Sequence, residues 1–402
     1  MTGIKHIPLF FLFICCGLHG FTQQTDTIEL RVDPLNALSL PASEVISEVN
    51  YIPLQTTKES LFGTINQLAV TDKYFVIGDD YTNSILIFYR NGNFHTKIKL
   101  DAYSKPSFVI NSEKEELTLT GNRWCYNLDG KKLSQEPRTF TGNFHFLQNN
   151  TIAYADYRVS AKNLPDTTNY ELYLVRGGKI SSSFLPYNMQ HAPIEGFDWI
   201  SNQHRPFYET GTDTTVWYCR PYDYKIYQLG INGLTVPYRF IFPIANTLTP
   251  DFYNDPSLPR GQKHLFFSKH MEQISGISYI YKTGNTLFFK TDSWLNSLNG
   301  GDSYFYNLES GTTVSVKSLQ PDKLTGNLPL TDLGEGEEFI NRNFLTTDGQ
   351  YVYTCFSAAI LLHMKDRQGD KIKYPTTLTS LFTSGNRKQN PVIVAIKPKA
   401  HF

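Results

Sequence analysis

Residues 73–94 read KYFVIGDDYTNSILIFYRNGNF. An apolar run ends in the polar turn Asp79-Asp80-Tyr81-Thr82-Asn83. A second apolar run follows, and Asn91-Gly92 then turns the chain tightly into a third strand. Glycine is needed at such a turn because at least one central residue must take a positive φ. The same grammar recurs five times. Residues 115–133 (EELTLTGNRWCYNLDGKKL) turn at Asp129-Gly130, and residues 170–180 (YELYLVRGGKI) turn at Gly177-Gly178. Residues 214–234 (TTVWYCRPYDYKIYQLGINGL) turn at Asn232-Gly233, residues 302–312 (DSYFYNLESGT) at Ser310-Gly311, and residues 350–370 (QYVYTCFSAAILLHMKDRQGD) at Gln368-Gly369.

From Gly92 through Gly130, Gly178, Gly233 and Gly311 to Gly369, the intervals are 38, 48, 55, 78 and 58 residues. Each is long enough for a four-stranded antiparallel sheet with its loops. Six such sheets in series predict an all-β fold, a six-bladed β-propeller. No blade can bury both faces alone, so neighbours must stack around an axis. A pair of β-sandwiches is the runner-up and does not predict six equivalent hairpins. Helical patterning is confined to residues 266–273 and 377–383. Closure requires a strand from one end of the chain to complete the blade at the other, which removes an open sheet edge. The N-terminal candidates are residues 27–32 and 50–54, and the C-terminal one is residues 391–396.

Composition fits this reading. The 402-residue chain carries 28 Phe, 25 Tyr and 4 Trp, so 14% is aromatic, the side chains that fill gaps between twisted sheets. Its 37 basic and 37 acidic residues cancel, which argues against a nucleic-acid or anionic-membrane binder. Residues 1–22 read as a secretory signal: Lys5-His6, an apolar run at residues 7–18, then Gly20-Phe21-Thr22 before Gln23. That run is too short for a stable membrane anchor. Cys15 and Cys16 follow Phe13-Ile14 rather than a small residue, which disfavours lipidation. Export places residues 23–402 in the periplasm, on the outer membrane or outside the cell, as one propeller domain with a long insertion at about 243–273. Removing the leader takes away Lys5 and no acid, so 36 bases face 37 acids and the net charge is −1. The remaining cysteines, Cys125, Cys219 and Cys355, are odd in number and sit in apolar runs, as buried core residues do.

Residues 50–63, NYIPLQTTKESLFG, together with the hairpin at residues 87–94 and the closing Gln389-Asn390-Pro391-Val392-Ile393-Val394, resemble the six-bladed β-propeller proteins of the Bacteroidetes envelope. The resemblance spans about residues 45–398. It implies fold rather than activity. Where that family usually carries a Gly-x-Gly-Pro-Gly-Glu loop, this chain has LDAYSKPSF at residues 100–108.

The sequence contains no G-x-S-x-G elbow, H-E-x-x-H, phosphate-binding glycine loop or paired C-x-x-C, and its histidines have no metal-ligand spacing. No cofactor or metal is expected. In a propeller the second-to-third turns and the connections entering each blade share one face, and recognition residues concentrate on such loops. That face would collect Asp79, Asp80, Tyr81, Arg123, Arg158, His204, Arg205, Arg220, Tyr222, Asp223 and Trp294. Arginines among aromatics and carboxylates suit a carboxylate-bearing or sugar ligand. The alternative for each is a solvated turn residue or a structural ion pair, and Asp79 and Asp80 also suit turn capping. The leading expectation is a monomeric, non-catalytic exported protein binding a glycan, peptide or envelope-protein partner. The alternative is a polysaccharide lyase or glycoside hydrolase, with His204, Tyr222 or Asp223 as acid/base near Arg205 or Arg220.

Overall fold

A computed structural model describes residues 27–136, 143–155, 169–187, 205–255, 257–258, 262–294, 302–330, 344–369 and 372–402. Its strands form six sheets, each with four antiparallel strands in blade order. From the inner strand outward, blade 1 is Gln67–Val70, Tyr74–Asp79, Ser84–Tyr89 and Phe94–Lys99. Blade 2 is Phe108–Asn111, Glu116–Leu119, Trp124–Asn127 and Lys132–Gln135. Blade 3 is Asn143–Leu147, Thr151–Ala155, Asn169–Arg176 and Lys179–Tyr187. Blade 4 is Phe207–Glu209, Thr215–Tyr218, Lys225–Gly230 and Gly233–Ile241. Blade 5 is Ile274–Thr283, Thr286–Ser293, Asp302–Asn307 and Thr313–Ser315. Blade 6 takes Thr346–Thr347, Val352–Phe356 and Val392–Pro398 from the C-terminal end and Ile46–Pro53 from the N-terminal end.

The ring closes through that last pairing, with Tyr51 opposite Val394 and Val49 opposite Ile396. The other closure candidate serves a different end. Ile28–Arg31 adds to blade 4 as a fifth strand, parallel to Gly233–Ile241. Apolar side chains pack between successive blades rather than in one central core. Ile77, Leu86 and Phe88 of blade 1 meet Tyr353 and Ile393 of blade 6, while Val76, Ile85 and Ile87 meet Phe108, Leu117 and Leu119 of blade 2. Leu172 and Leu174 meet Val216 and Leu229 across blades 3 and 4, and the largest cluster joins blades 4, 5 and 6. Burying both faces of each sheet in this way is the main stabilising term, about 1.5–3 kcal/mol for each large apolar side chain. All three cysteines among the described residues are buried, and no disulfide joins them.

Five of the six expected glycine hairpins join third to fourth strands, with φ of 87° at Gly92, 84° at Gly130, 76° at Gly178, 135° at Gly233 and 72° at Gly311. The sixth does not. Gly369 (φ 74°) caps the helix Ala358–Gln368, its amide donating to Lys365 O at 2.8 Å. A glycine past a helix end and a glycine in a hairpin satisfy the same backbone requirement, so residue type alone cannot separate them. Ser357-Ala358 is likewise not a short turn. Ser357 is the helix N-cap, accepting from the Ile360 amide, and the connection runs through a second helix, Thr379–Ser384, before blade 6 resumes. In the insertion the helix is Lys263–Phe267, which overlaps the expected 266–273 only at Phe266 and Phe267; residues 268–273 are turns leading into blade 5.

Candidate functional site

The sequence-predicted residues fall into four places. Asp79 is fully buried, and its carboxylate accepts from the amides of Thr64 (2.9 Å), Thr82 (2.9 Å), Tyr81 and Gly63, and from the Thr82 hydroxyl. It ties the connection entering blade 1 to the turn beside it. Asp80 is exposed, with its amide on Asn66 Oδ1, and Tyr81 projects into solvent at 84% exposure. Arg123 lies apart from both, buried between blades 2 and 3 with its guanidinium carbon 3.8 Å from the Phe144 ring centroid. Arg158 and His204 lie outside the described residues.

Arg220, Tyr222, Asp223 and Trp294 do come together, beneath the insertion. Tyr222 stacks on Phe267 at 5.7 Å and meets Phe252 edge-on at 5.2 Å, and Trp294 packs against the same aromatic cluster. The Lys263 ammonium is buried here and donates to Phe252 O and Leu258 O, holding the insertion together. Arg220 meets Glu171, a buried carboxylate of blade 3, at 2.7 Å. Glu171 also accepts from Tyr253 Oη at 2.8 Å and Tyr218 Oη at 3.0 Å. Asp223 lies 3.7 Å from Arg220 and accepts from Tyr227 Oη at 2.7 Å. Burial opposes the Arg220 charge, yet Glu171 and the surrounding tyrosines hold it protonated well above the ordinary range. This is an ion pair across two blades with its hydrogen bonds nearly complete. Sequence reasoning missed Glu171, although a lone acid in the strand YELYLV is the signal that was there.

Arg205 stands elsewhere. It lines a central cavity of about 760 Å³ walled by the inner strands of blades 1, 2, 3, 4 and 6. The cavity reaches from Ser107, Thr120 and Arg205, where those strands begin, to Asp72, Lys73, Glu115 and Asp213, where they turn back. Phe207 and Glu209 follow Arg205 along the wall, and Asn143 and His145 of blade 3 lie alongside, with His145 and Phe207 ring centroids 6.4 Å apart. Burial depresses the His145 imidazole to about 4, so it is neutral at pH 7. Burial raises the Glu209 carboxyl against the opposing pull of its own amide, of Arg205 and of the Thr346 hydroxyl. No ion pair to either Arg205 or Glu209 occurs among the described residues.

The turns at the cavity mouth explain why blade 5 contributes no wall. Lys73 pairs with Glu115 at 2.8 Å, joining blades 1 and 2. Glu113 accepts from the Asn150 amide (3.3 Å), joining 2 and 3, and Gln148 donates to Asp213 (2.6 Å), joining 3 and 4. Arg90 meets Asp348 at 3.1 Å, joining 1 and 6. Burial would raise the Asp348 carboxyl, but the Tyr353 hydroxyl, the Tyr351 amide and Arg90 hold it below the usual range. The remaining link skips blade 5. Gly211 of blade 4 and Gly349 of blade 6 meet backbone to backbone, both at positive φ, and a Cβ on Gly211 would lie 2.4 Å from Gly349 Cα. The mouth is therefore a five-membered collar in a six-bladed ring. This contact carries the inner strand of blade 6 toward blade 4 and sets Thr346 beside Glu209.

Against this geometry the relatives can be compared. The sequence profile described as Domain of unknown function (DUF4934) matches residues 25–397. The chain belongs to that family. No curated protein matches the sequence. A crystal structure of a Bacteroides fragilis protein, provisionally named as exported, is similar with a TM-score of 0.68 at 16% identity, covering 92% of this chain and 100% of that one. Hydrazine synthase of Kuenenia stuttgartiensis is matched at TM-score 0.34 and 10% identity over 76% of each chain, too loosely to carry an argument. The resemblance read from the sequence is borne out in fold and family. Among the described residues of the DUF4934 chain, no helix is long and apolar enough to cross a membrane.

Proposed function

We propose that this DUF4934 protein is an exported, non-catalytic binding propeller whose central cavity takes a small carboxylate-bearing ligand, with Arg205 as the anchor. The supporting observation is the contrast between its arginines. Arg220 is paired with Glu171, and Arg123 is packed on Phe144, whereas Arg205 faces a polar cavity open at its mouth with no ion-pair partner among the described residues. Arginine presents a planar fork suited to a carboxylate, and a partly buried setting strengthens that bond relative to water. Neutral His145, Asn143 and Thr346 add hydrogen-bonding capacity around it.

Export rests on the leader at residues 1–22 and is in keeping with the name of the Bacteroides fragilis neighbour. N-terminal sequencing of the protein recovered from cells should begin at Gln23. The lyase reading needs a His204, Tyr222 or Asp223 acid/base near Arg205 or Arg220. Tyr222 packs on Phe252 and Phe267, while Arg220 and Asp223 are engaged with Glu171 and Tyr227, so the binding reading is favoured.

The test is a thermal-shift screen of sugar acids, dicarboxylates and short peptides against wild type, N143F, R205A, Y81A and W294A. Shifts abolished by filling the cavity (N143F) and by R205A, and kept in the loop-face variants Y81A and W294A, are expected. Shifts lost in Y81A or W294A but kept in R205A would return the site to the loop face.

A further inference from the structure

Arg205 and Glu209 lie on one wall of the cavity, two charges of opposite sign with neither compensated by an ion pair among the described residues. Such charges ordinarily find each other or water, because an uncompensated buried charge is costly. Here Arg205 lies in the connection just before the inner strand Phe207–Glu209 that carries Glu209, with Phe207 between them along the cavity wall. A third group points the same way. The Thr346 hydroxyl, on a side chain 1% exposed, lines the cavity beside Glu209 and leans on its carboxylate as a donor, with no other partner among the described residues. A hydroxyl that donates to a carboxylate keeps acceptor lone pairs, so an outside donor reaching Glu209 can also meet Thr346 Oγ1. Its position is built rather than incidental, since the glycine contact that skips blade 5 is what carries Thr346 to blade 4.

A carboxylate alone would satisfy Arg205 and leave Glu209 facing more negative charge. A ligand with an ammonium as well satisfies both and gives Thr346 a donor. We infer that the central cavity recognises a small zwitterion, a free α-amino acid or short unblocked peptide, with its carboxylate on Arg205 and its ammonium between Glu209 and Thr346. This deepens the binding proposed above and rests on it. The mouth suits such a ligand, because Lys73–Glu115 and Arg90–Asp348 present paired rather than single-sign charge and repel neither end.

The test uses the full mature chain and native mass spectrometry with an equimolar mixture of the twenty amino acids and a mixed tripeptide library, each supplied free, N-acetylated and C-amidated. Free forms are expected to bind, and either blocked form to bind about 10- to 100-fold more weakly, the range of one charge-assisted hydrogen bond. E209Q should weaken the free forms about 10-fold and leave the N-acetylated forms unchanged. T346V, which removes only the hydroxyl, should act in the same direction and provides the check if E209Q folds poorly. Equal binding of free and N-acetylated ligands, both lost in R205A, would overturn the zwitterion inference while leaving the carboxylate-binding reading intact. No binding of any form, with R205A indistinguishable from wild type, would remove both. Amino acids binding without tripeptides, or the reverse, fixes which zwitterion is held.

Discussion

Arg220 and Arg205 lie 15 residues apart in a sequence that presents them alike, each near aromatic and acidic residues in a loop before or after a blade 4 strand. Their surroundings differ completely. Arg220 has Glu171, Asp223 and the Tyr253 ring 4.2 Å from its guanidinium carbon, and its chemistry is spent holding blades 3 and 4 and the insertion together. Arg205 looks into a cavity whose wall was assembled from five blades, and its chemistry is still available. A charged residue near a propeller axis is therefore judged by what already satisfies it rather than by its type or the face it sits on.

The largest expected effect lies on the Arg220 side. Glu171→Ala leaves Arg220 buried without its partner, and chemical unfolding should show a loss of about 3–5 kcal/mol. Ligand affinity of the folded fraction should not change. An equal loss of affinity would mean that the two regions are not separate. Next is Gly211→Ala, where positive φ combines with a clash against Gly349. It should cost about 1–3 kcal/mol and, unlike Glu171→Ala, also weaken binding, because Thr346 is displaced from Glu209. Wild-type affinity in that variant would detach the collar from the site.

The pH dependence is smaller. His145 has a folded pKa of about 4, below the ordinary 6.5, so its contribution to stability is fully present above about 6.5 and is lost as pH falls through about 4. The full shift would amount to about 3 kcal/mol; cavity water reduces this, and about 1–2 kcal/mol is expected. His145→Asn should flatten that acid limb of the unfolding curve. Asp292 runs the other way, raised to about 6 by burial despite Lys290 and Ser278, so it favours folding below its ordinary 3.8 and this advantage disappears as pH rises through about 6. Asp292→Asn should remove the decline between those values. The smallest stability effect belongs to Arg205→Ala, within about 0.5 kcal/mol, since no ion pair among the described residues is broken.

The blades were legible because hairpin turns demand a conformation that glycine supplies, and five of six glycines obeyed that rule. Gly369 misled because helix C-termini impose the same demand. Asp79 was rightly suspected as a turn cap, and its backbone donors show how fully it serves as one. The cavity was not legible. Its decisive wall segments are as short as Thr346–Thr347 and Phe207–Glu209, carry no motif, and are brought together by a contact between Gly211 and Gly349, 138 positions apart. Nothing in a local window reveals that one blade is bypassed at the mouth.

The central claim is that Arg205, not the loop-face residues, holds the ligand. It is tested most directly by calorimetric titration of the best-binding free ligand into wild type, R205A and W294A, with melting curves alongside. The account predicts affinity reduced about 10- to 100-fold in R205A at an unchanged melting temperature, and wild-type affinity in W294A. Undiminished affinity in R205A, or its loss in W294A alone, would contradict it.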